Sequence, residues 1–271
     1  MDERMLKYTA ARMGLGLNYV DKEEKISLLL SQLWEIFGEK AILKGGTALN
    51  RVYLAKIGAT RFSEDIDIDY FNGNVEVSAR EIIEGMKKIE EFNVKGPRIL
   101  HRTFRFDCYY TNALGNRDRV KVEFYLSRPP YIEAKVELVK SPFIDSYPTM
   151  FTVYSLEDLL AKKIVALYNR MEGKDIYDVF HALNMEFEME KFLKALELTL
   201  TFYRIEGDFW RALISKLNQA KKNARQVGNS TNHFIPKTLR PNWEELIESL
   251  RFRIEELLNN KIQRRQGKTY G

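Results

Sequence analysis

The order of apolar and polar positions predicts a chain that opens in helices, passes through strands and closes in helices. Over residues 1–40, Ile26, Leu29, Leu30, Leu33 and Phe37 recur at helical spacing and stop before Gly38. Residues 41–44 read as a short strand entering a glycine turn, 48–56 as a helix closed by Gly58, and 62–71 as a strand of acids alternating with isoleucine. A helix over 78–92 places Ile82, Ile83, Met86 and Ile89 on one face, and Gly96-Pro97 breaks it. Next, 99–110 alternates Thr103, Arg105 and Asp107 with Leu100, Phe104 and Phe106. A turn at 116–118 and strands over 119–127 and 132–139 follow, and the short connections predict antiparallel neighbours. From Ser155 the pattern is helical to the end. Ser155-Leu156-Glu157-Asp158 resembles a capping box, and three or four further helices are divided at Gly173, Gly207 and a loop over 227–241. The expected class is α/β (α+β): a mixed-sheet core with N-terminal helices over 1–150, and a helical domain over 151–271 packed on it.

Two segments carry candidate chemistry. Lys44-Gly45-Gly46-Thr47-Ala48-Leu49 places a double glycine at the head of a helical run, and Arg61-Phe62-Ser63-Glu64-Asp65-Ile66-Asp67-Ile68-Asp69 follows about a dozen residues later. Glycine lets backbone N–H groups approach a phosphate closely, and a helix N-terminus adds partial positive charge. Strand alternation puts Asp65, Asp67 and Asp69 on one face, successive members roughly 6–7 Å apart at Cα. Carboxylates so arranged can jointly hold a hard divalent cation such as Mg²⁺, with water and substrate phosphates completing its shell.

The order of these blocks resembles the nucleotidyltransferase superfamily, and more closely the abortive-infection nucleotidyltransferase toxins (AbiEii/AbiGii-like). The likeness runs from about residue 40 to about residue 185 and extends to a distal block of Lys163, Arg170 and Lys174-Asp175-Ile176-Tyr177-Asp178. Lys174 stands where that family usually has arginine, which keeps the charge but loses the bidentate fork. The resemblance implies a nucleotidyltransferase core in which Asp65 and Asp67 are the metal pair for Mg²⁺ (or Mn²⁺). It leaves Asp69 as a neighbour, outside the ligand set or at the surface. It further implies that Lys44, Gly45, Gly46, Thr47, Arg61, Ser63 and Arg170 contact the NTP, and that Lys163, held by Asp175, neutralises departing pyrophosphate. Asp178 is open to a purely structural role. A third carboxylate on a neighbouring strand is common in such enzymes. Glu123 is the best placed, with Glu137 and Asp107 behind it; its other reading is a cross-strand charge pair with a lysine. The implied acceptor is RNA, plausibly the 3′ end of tRNA, and the implied partner is a cognate antitoxin. Transfer to a small molecule or a protein side chain, or an inactive nucleotide-binding module, are the alternatives.

Composition narrows this picture only modestly. Apolar residues make up 45% and charged residues 30% of 271, which fits a globular chain. A net charge of +5 permits a nucleic-acid partner without requiring one. Basic residues (Lys216, Lys221, Lys222, Arg225, Lys237, Arg240 and the run Arg251 to Arg265) mix with Tyr203, Phe209, Trp210, Phe234 and Trp243. Such a mixture can form an RNA surface or, for the aromatics, a helical core. Cys108 stands alone, so no internal disulfide is expected, and His101, His181 and His233 show no ligand spacing. No signal-peptide pattern opens the chain and no apolar run reaches membrane-spanning length, so a cytoplasmic protein with no membrane partner is expected.

Overall fold

Two helices, α1 (Glu3–Met13) and α2 (Leu17–Phe37), open the chain where the apolar spacing predicts them. They belong to a computed structural model that describes residues 3–267, with side chains described to residue 259; the Arg265 side chain thus lies outside the described residues. Among the described residues seven strands follow: β1 (Ala41–Lys44), β2 (Asp65–Tyr70), β3 (Asn93–Leu100), β4 (Thr103–Thr111), β5 (Arg117–Tyr125), β6 (Ala134–Val139) and β7 (Thr149–Tyr154). They form one mixed sheet in the order β3-β4-β5-β2-β1-β7-β6. The β2–β5 and β1–β7 pairs are parallel, and the others are antiparallel.

Alternation dictates which face of the sheet is buried. Ile66 and Ile68 on β2, Val122 and Phe124 on β5, and Phe104 and Phe106 on β4 are all buried. Against them lies α2, whose Phe37 ring stands 5.1 Å from Phe124 and 5.5 Å from Tyr70. The helix α4 (Val75–Met86) joins this layer through Gly85, where a Cβ would come within 2.4 Å of the Phe37 ring, so only glycine allows the approach. The aspartates and their neighbours occupy the other face.

After β7 the chain is helical: α5 (Leu156–Arg170), α6 (Gly173–Leu183), α7 (Met189–Phe202), α8 (Phe209–Lys222), α9 (Ala224–Thr231) and α10 (Trp243–Gly267). Ser155 caps α5 as expected, its hydroxyl accepting from the Asp158 N–H at 3.2 Å. α5 packs on α6 and α7, and α10 packs on α6 and α8. Buried side chains of the sheet and of these helices form one continuous cluster, from Leu6 to Leu257.

Several boundaries differ from the sequence expectation. The 48–56 helix is instead α3 (Gly45–Ala48) followed by a π turn at Leu49–Tyr53 and a 3₁₀ turn at Leu54–Ile57, closed by Gly58 at φ +67°. β2 starts at Asp65, because the Phe62 N–H bonds instead to the Phe234 carbonyl at 2.7 Å. The helix expected over 78–92 runs from Val75 to Met86, since Asn74 caps it by accepting from the Val77 N–H at 2.9 Å. The strand expected over 99–110 is a hairpin, with His101 turning at φ +53°, and β3 lies where Gly96-Pro97 reads as a breaker. That pair sits in a bulge between Lys95 and Arg98. β6 pairs not with β5 but with β7 at the far edge, and β7 was not foreseen. The loop expected over 227–241 is partly helical, as α9 and two 3₁₀ turns.

Candidate active site

The turn from β1 into α3 is built on two close approaches. Gly45 has φ +71°, and a Cβ there would lie 2.3 Å from Asp67 Oδ2. At Gly46 a Cβ would meet Ser63 Oγ at 2.8 Å and Arg61 Nη2 at 2.9 Å. Any side chain would push these groups off the turn. No side chain caps α3. Thr47 is fully buried and its hydroxyl donates to the Asp65 carbonyl, which ties the turn to β2 and leaves its N–H, not its hydroxyl, to meet a phosphate.

Strand register assembles the rest of the face. The parallel β2–β5 pair sets Asp65 opposite Lys121, Asp67 opposite Glu123 and Asp69 opposite Tyr125; β4 sets Arg105 opposite Glu123, and β1 sets Lys44 opposite Asp67. Lys121 Nζ lies 2.9 Å from both Asp65 oxygens. Arg105 Nε donates to Glu123 Oε1 at 2.7 Å and its Nη2 lies 2.6 Å from the same oxygen, so the cross-strand partner is an arginine, not a lysine. Asp69 is buried and accepts from Lys44 Nζ and from the Tyr154 hydroxyl at 2.6 Å, while Lys44 also stands 4.7 Å from the Tyr125 ring centre. Asp69 thereby positions Lys44, whose pKa stays above the usual lysine value because Asp69 and then Asp67 outweigh the effect of burial. Asp67 makes no ion pair among the described residues. Burial first, then the Asp65 and Glu123 carboxylates, push its pKa up to about 6 against the pull of Lys44 and Lys163.

Helices α5 and α6 bring the distal block to the same place. Asp175 and Asp178 are wholly buried on α6. Lys163 Nζ lies 3.1 Å from Asp175 Oδ1 and 2.8 Å from Asp178 Oδ2. Arg170 grips Asp175 with Nε at 2.6 Å and Nη2 at 2.8 Å, though half of its side chain stays exposed. Arg61 grips Asp178 with Nε at 2.9 Å and Nη2 at 2.6 Å, and Asn50 adds a bond at 3.3 Å. Burial alone would raise both carboxyls; Arg61 and Lys163 instead hold Asp178 down to about 2, and Arg170 and Lys163 lower Asp175.

A cavity of 250 Å³ joins the two halves, lined by Gly46, Arg61, Ser63, Asp65, Asp67, Glu123, Lys163 and Arg170 together with Lys174 and Arg105. Lys44, Gly45, Thr47 and Asp175 do not line it. Arg105, Lys121, Asn50 and Tyr154 were not foreseen. Register would have signalled the first two once the strands were paired; Asn50, four residues beyond Gly46, shows its role only through distant Asp178, and Tyr154 comes from distant β7. Among the described residues no three His, Cys, Asp or Glu form a metal cage. The donor set nonetheless fits Mg²⁺ or Mn²⁺, which binds through one or two carboxylates with substrate and water supplying the remainder. Asp65 and Asp67 offer that pair; burial, and after it the Asp65 and Glu123 carboxylates, raise the Asp67 pKa, and a divalent cation would favour its charged form.

Comparison with known proteins bears on the fold and the family. Among solved structures, the fold is similar to that of MenT4, a nucleotidyltransferase toxin from Mycobacterium tuberculosis H37Rv, at TM-score 0.63 and 18% identity, covering 95% of this chain and 90% of that one. It is also similar to a putative nucleotidyltransferase from H. pylori, at TM-score 0.58 and 15% identity, covering 87% and 93%. At such identity the likeness is one of fold. No curated protein sequence matches the chain. The sequence model described as "Nucleotidyl transferase AbiEii toxin, Type IV TA system" matches residues 28–260. The protein therefore belongs to the AbiEii nucleotidyltransferase toxin family of type IV toxin–antitoxin systems.

Proposed function

We propose that this toxin moves a nucleoside monophosphate from an NTP to an RNA acceptor, with the 3′ end of tRNA as the expected target. The observation that carries the reading is the register that stands Asp65, Asp67 and Glu123 together beside the Gly45-Gly46 turn, across one cavity from Lys163 and Arg170. A bound Mg²⁺ (or Mn²⁺) would supply charge neutralisation at the transferring phosphoryl group. Asp65 and Asp67 would hold it. The backbone of Gly45, Gly46 and Thr47 supplies N–H donors to the phosphates, with Ser63 beside them. Lys163 and Arg170 face the same space, fixed in orientation by Asp175, and balance charge as pyrophosphate leaves. Glu123, once free of Arg105, is placed to accept a proton from the attacking hydroxyl. Arg61 and Lys44 act behind the phosphates, through Asp178 and Asp69.

Both substrates are cytoplasmic compounds, so the reading is of a cytoplasmic enzyme. No helix among the described residues is long and apolar enough to cross a membrane. The family implies a cognate antitoxin as partner. We further propose that residues 151–271 act as a domain that completes the site from the helical side. The test is incubation with Mg²⁺, each labelled NTP in turn and total RNA. Label on RNA that disappears with Asp67→Ala is the expected result. Label on protein or on a small solute would move the acceptor, and nucleotide binding without transfer under any NTP would leave a binding module.

A further inference from the structure

The open face of β3, β4 and β5 continues the catalytic face outward to the edge of the sheet. Register lays it out in rows. Asp67, Glu123, Arg105 and Arg98 stand side by side across four strands; Asp65, Lys121, Asp107 and Lys95 form the next row. Beyond them on the same face come Arg119 beside Tyr109, then Arg117. At about 4.8 Å per strand, Arg98 lies roughly 14 Å from Asp67.

The bulge between Lys95 and Arg98 makes this possible. Side chains alternate faces along a strand, so residues three apart should point opposite ways. Lys95 is opposite Asp107 and Arg98 opposite Arg105, which share a face, so the extra residue of the bulge returns Arg98 to the side of Lys95.

Charge and exposure on this face are lopsided. It holds six basic side chains on β3–β5, against two acids, Asp107 and Glu123, that already pair with Arg119 and Arg105. Lys95, Arg98, Arg117 and Arg119 are exposed. The Arg117 guanidinium stacks 3.9 Å from the Tyr109 ring centre, the kind of flat cationic platform on which an unpaired base stacks. The basic segment near the C-terminus offers less. There Phe209, Trp210, Phe234 and Trp243 are buried, Lys221 and Arg251 pair with Glu248, and Lys216 bonds to the Tyr168 carbonyl.

We infer that the RNA acceptor lies across β3–β5, its phosphates on Lys95, Arg98, Arg117 and Arg119 and a base against the Arg117–Tyr109 stack, with its end delivered to Asp67 and Glu123. This rests on the RNA reading of the site above. Binding of labelled bulk tRNA and of a labelled single-stranded RNA is measured across a salt series. Arg98→Gln with Lys95→Gln and Arg117→Gln removes three phosphate contacts. It should weaken RNA binding about tenfold or more near physiological salt and lower the log–log salt slope by about 2. The melting temperature should stay unchanged, since the three side chains are at the surface. Lys222→Gln with Arg225→Gln, on the exposed basic segment of α8 and α9, should bind RNA as the wild type does. Equal binding by the sheet variant, or loss confined to the Lys222/Arg225 variant, would overturn the inference while leaving RNA as the acceptor. Wild-type protein that bound neither RNA would remove the acceptor reading and this face with it.

Discussion

Asp67 concentrates the chemistry at the scale of a single residue. Its neighbours Asp65 and Glu123 and Asp69 behind it are each matched by a basic side chain, Lys121, Arg105 and Lys44; Asp67 has no such ion pair among the described residues. Its pKa of about 6, against the ordinary 3.8, has a sign that can be worked out. Between those values the folded protein binds more protons than the unfolded chain. The Asp67 contribution to metal-free stability therefore falls as pH rises from 3.8 through about 6. Asp67→Asn removes the crowded charge while keeping the shape. The expected outcome at pH 7, in chelator, is a higher melting temperature than the wild type together with loss of transfer when metal is restored. A lower melting temperature would show that the carboxylate is not strained. With Mg²⁺ limiting, wild-type transfer should fall as pH drops through about 6, because protons and the metal compete for Asp67, and excess Mg²⁺ should move that fall to lower pH, read from initial rates across a pH series. Glycine works at this scale too, because at Gly45 the positive φ and the 2.3 Å approach to Asp67 exclude every other residue without rearrangement.

At the scale of elements, the aspartates of α6 clamp three chain segments together. Asp178 receives Arg61 from the approach to β2 and Lys163 from α5, all three nearly out of solvent. Removing one member of a buried ionic cluster leaves the others uncompensated, which typically costs about 3–5 kcal/mol. Asp178→Ala should lower stability by about that much in urea titration, whereas Asp178→Asn, which keeps a hydrogen-bonding oxygen, should lose less. Because Asp178 is held near 2, its contribution is complete above 3.8 and lost as pH falls from there through about 2. By spacing alone, without the family resemblance, the sequence marks Asp175 and Asp178 only as residues three apart on a helix. That both point inward follows from packing, as α6 places both on its wholly buried side.

For the whole molecule, one buried cluster runs through sheet and helices alike. The Phe62–Phe234 backbone bond also joins the entry to β2 directly to the segment before α10. Shared burial of this kind predicts one cooperative unfolding transition. Calorimetry and circular dichroism should therefore give coincident midpoints. Two separated transitions would show that the halves unfold as independent units.

Much of the site was legible before the fold, for a physical reason. A glycine turn, a period-two acidic strand and a capped helix are set by interactions within a few residues, so local sequence suffices to read them. Asp65, Asp67, Gly45 and Gly46 could be named in this way, whereas Lys163, Arg170 and Asp175 were named only through the family resemblance. Other features depend on pairing between distant segments, and only the tertiary structure decided them. Arg105 meets Glu123 because β4 pairs with β5, and Tyr154 reaches Asp69 because β7 lies two strands away from β2. β3 could not be read because Gly96-Pro97 resembles a break until a partner strand shows it to be a bulge. The chain by itself determined which residues carry the charge and which faces are apolar. Register, which needs both partners present, decided that the carboxylates meet their counter-ions across the sheet and that six basic side chains share the face leading to them.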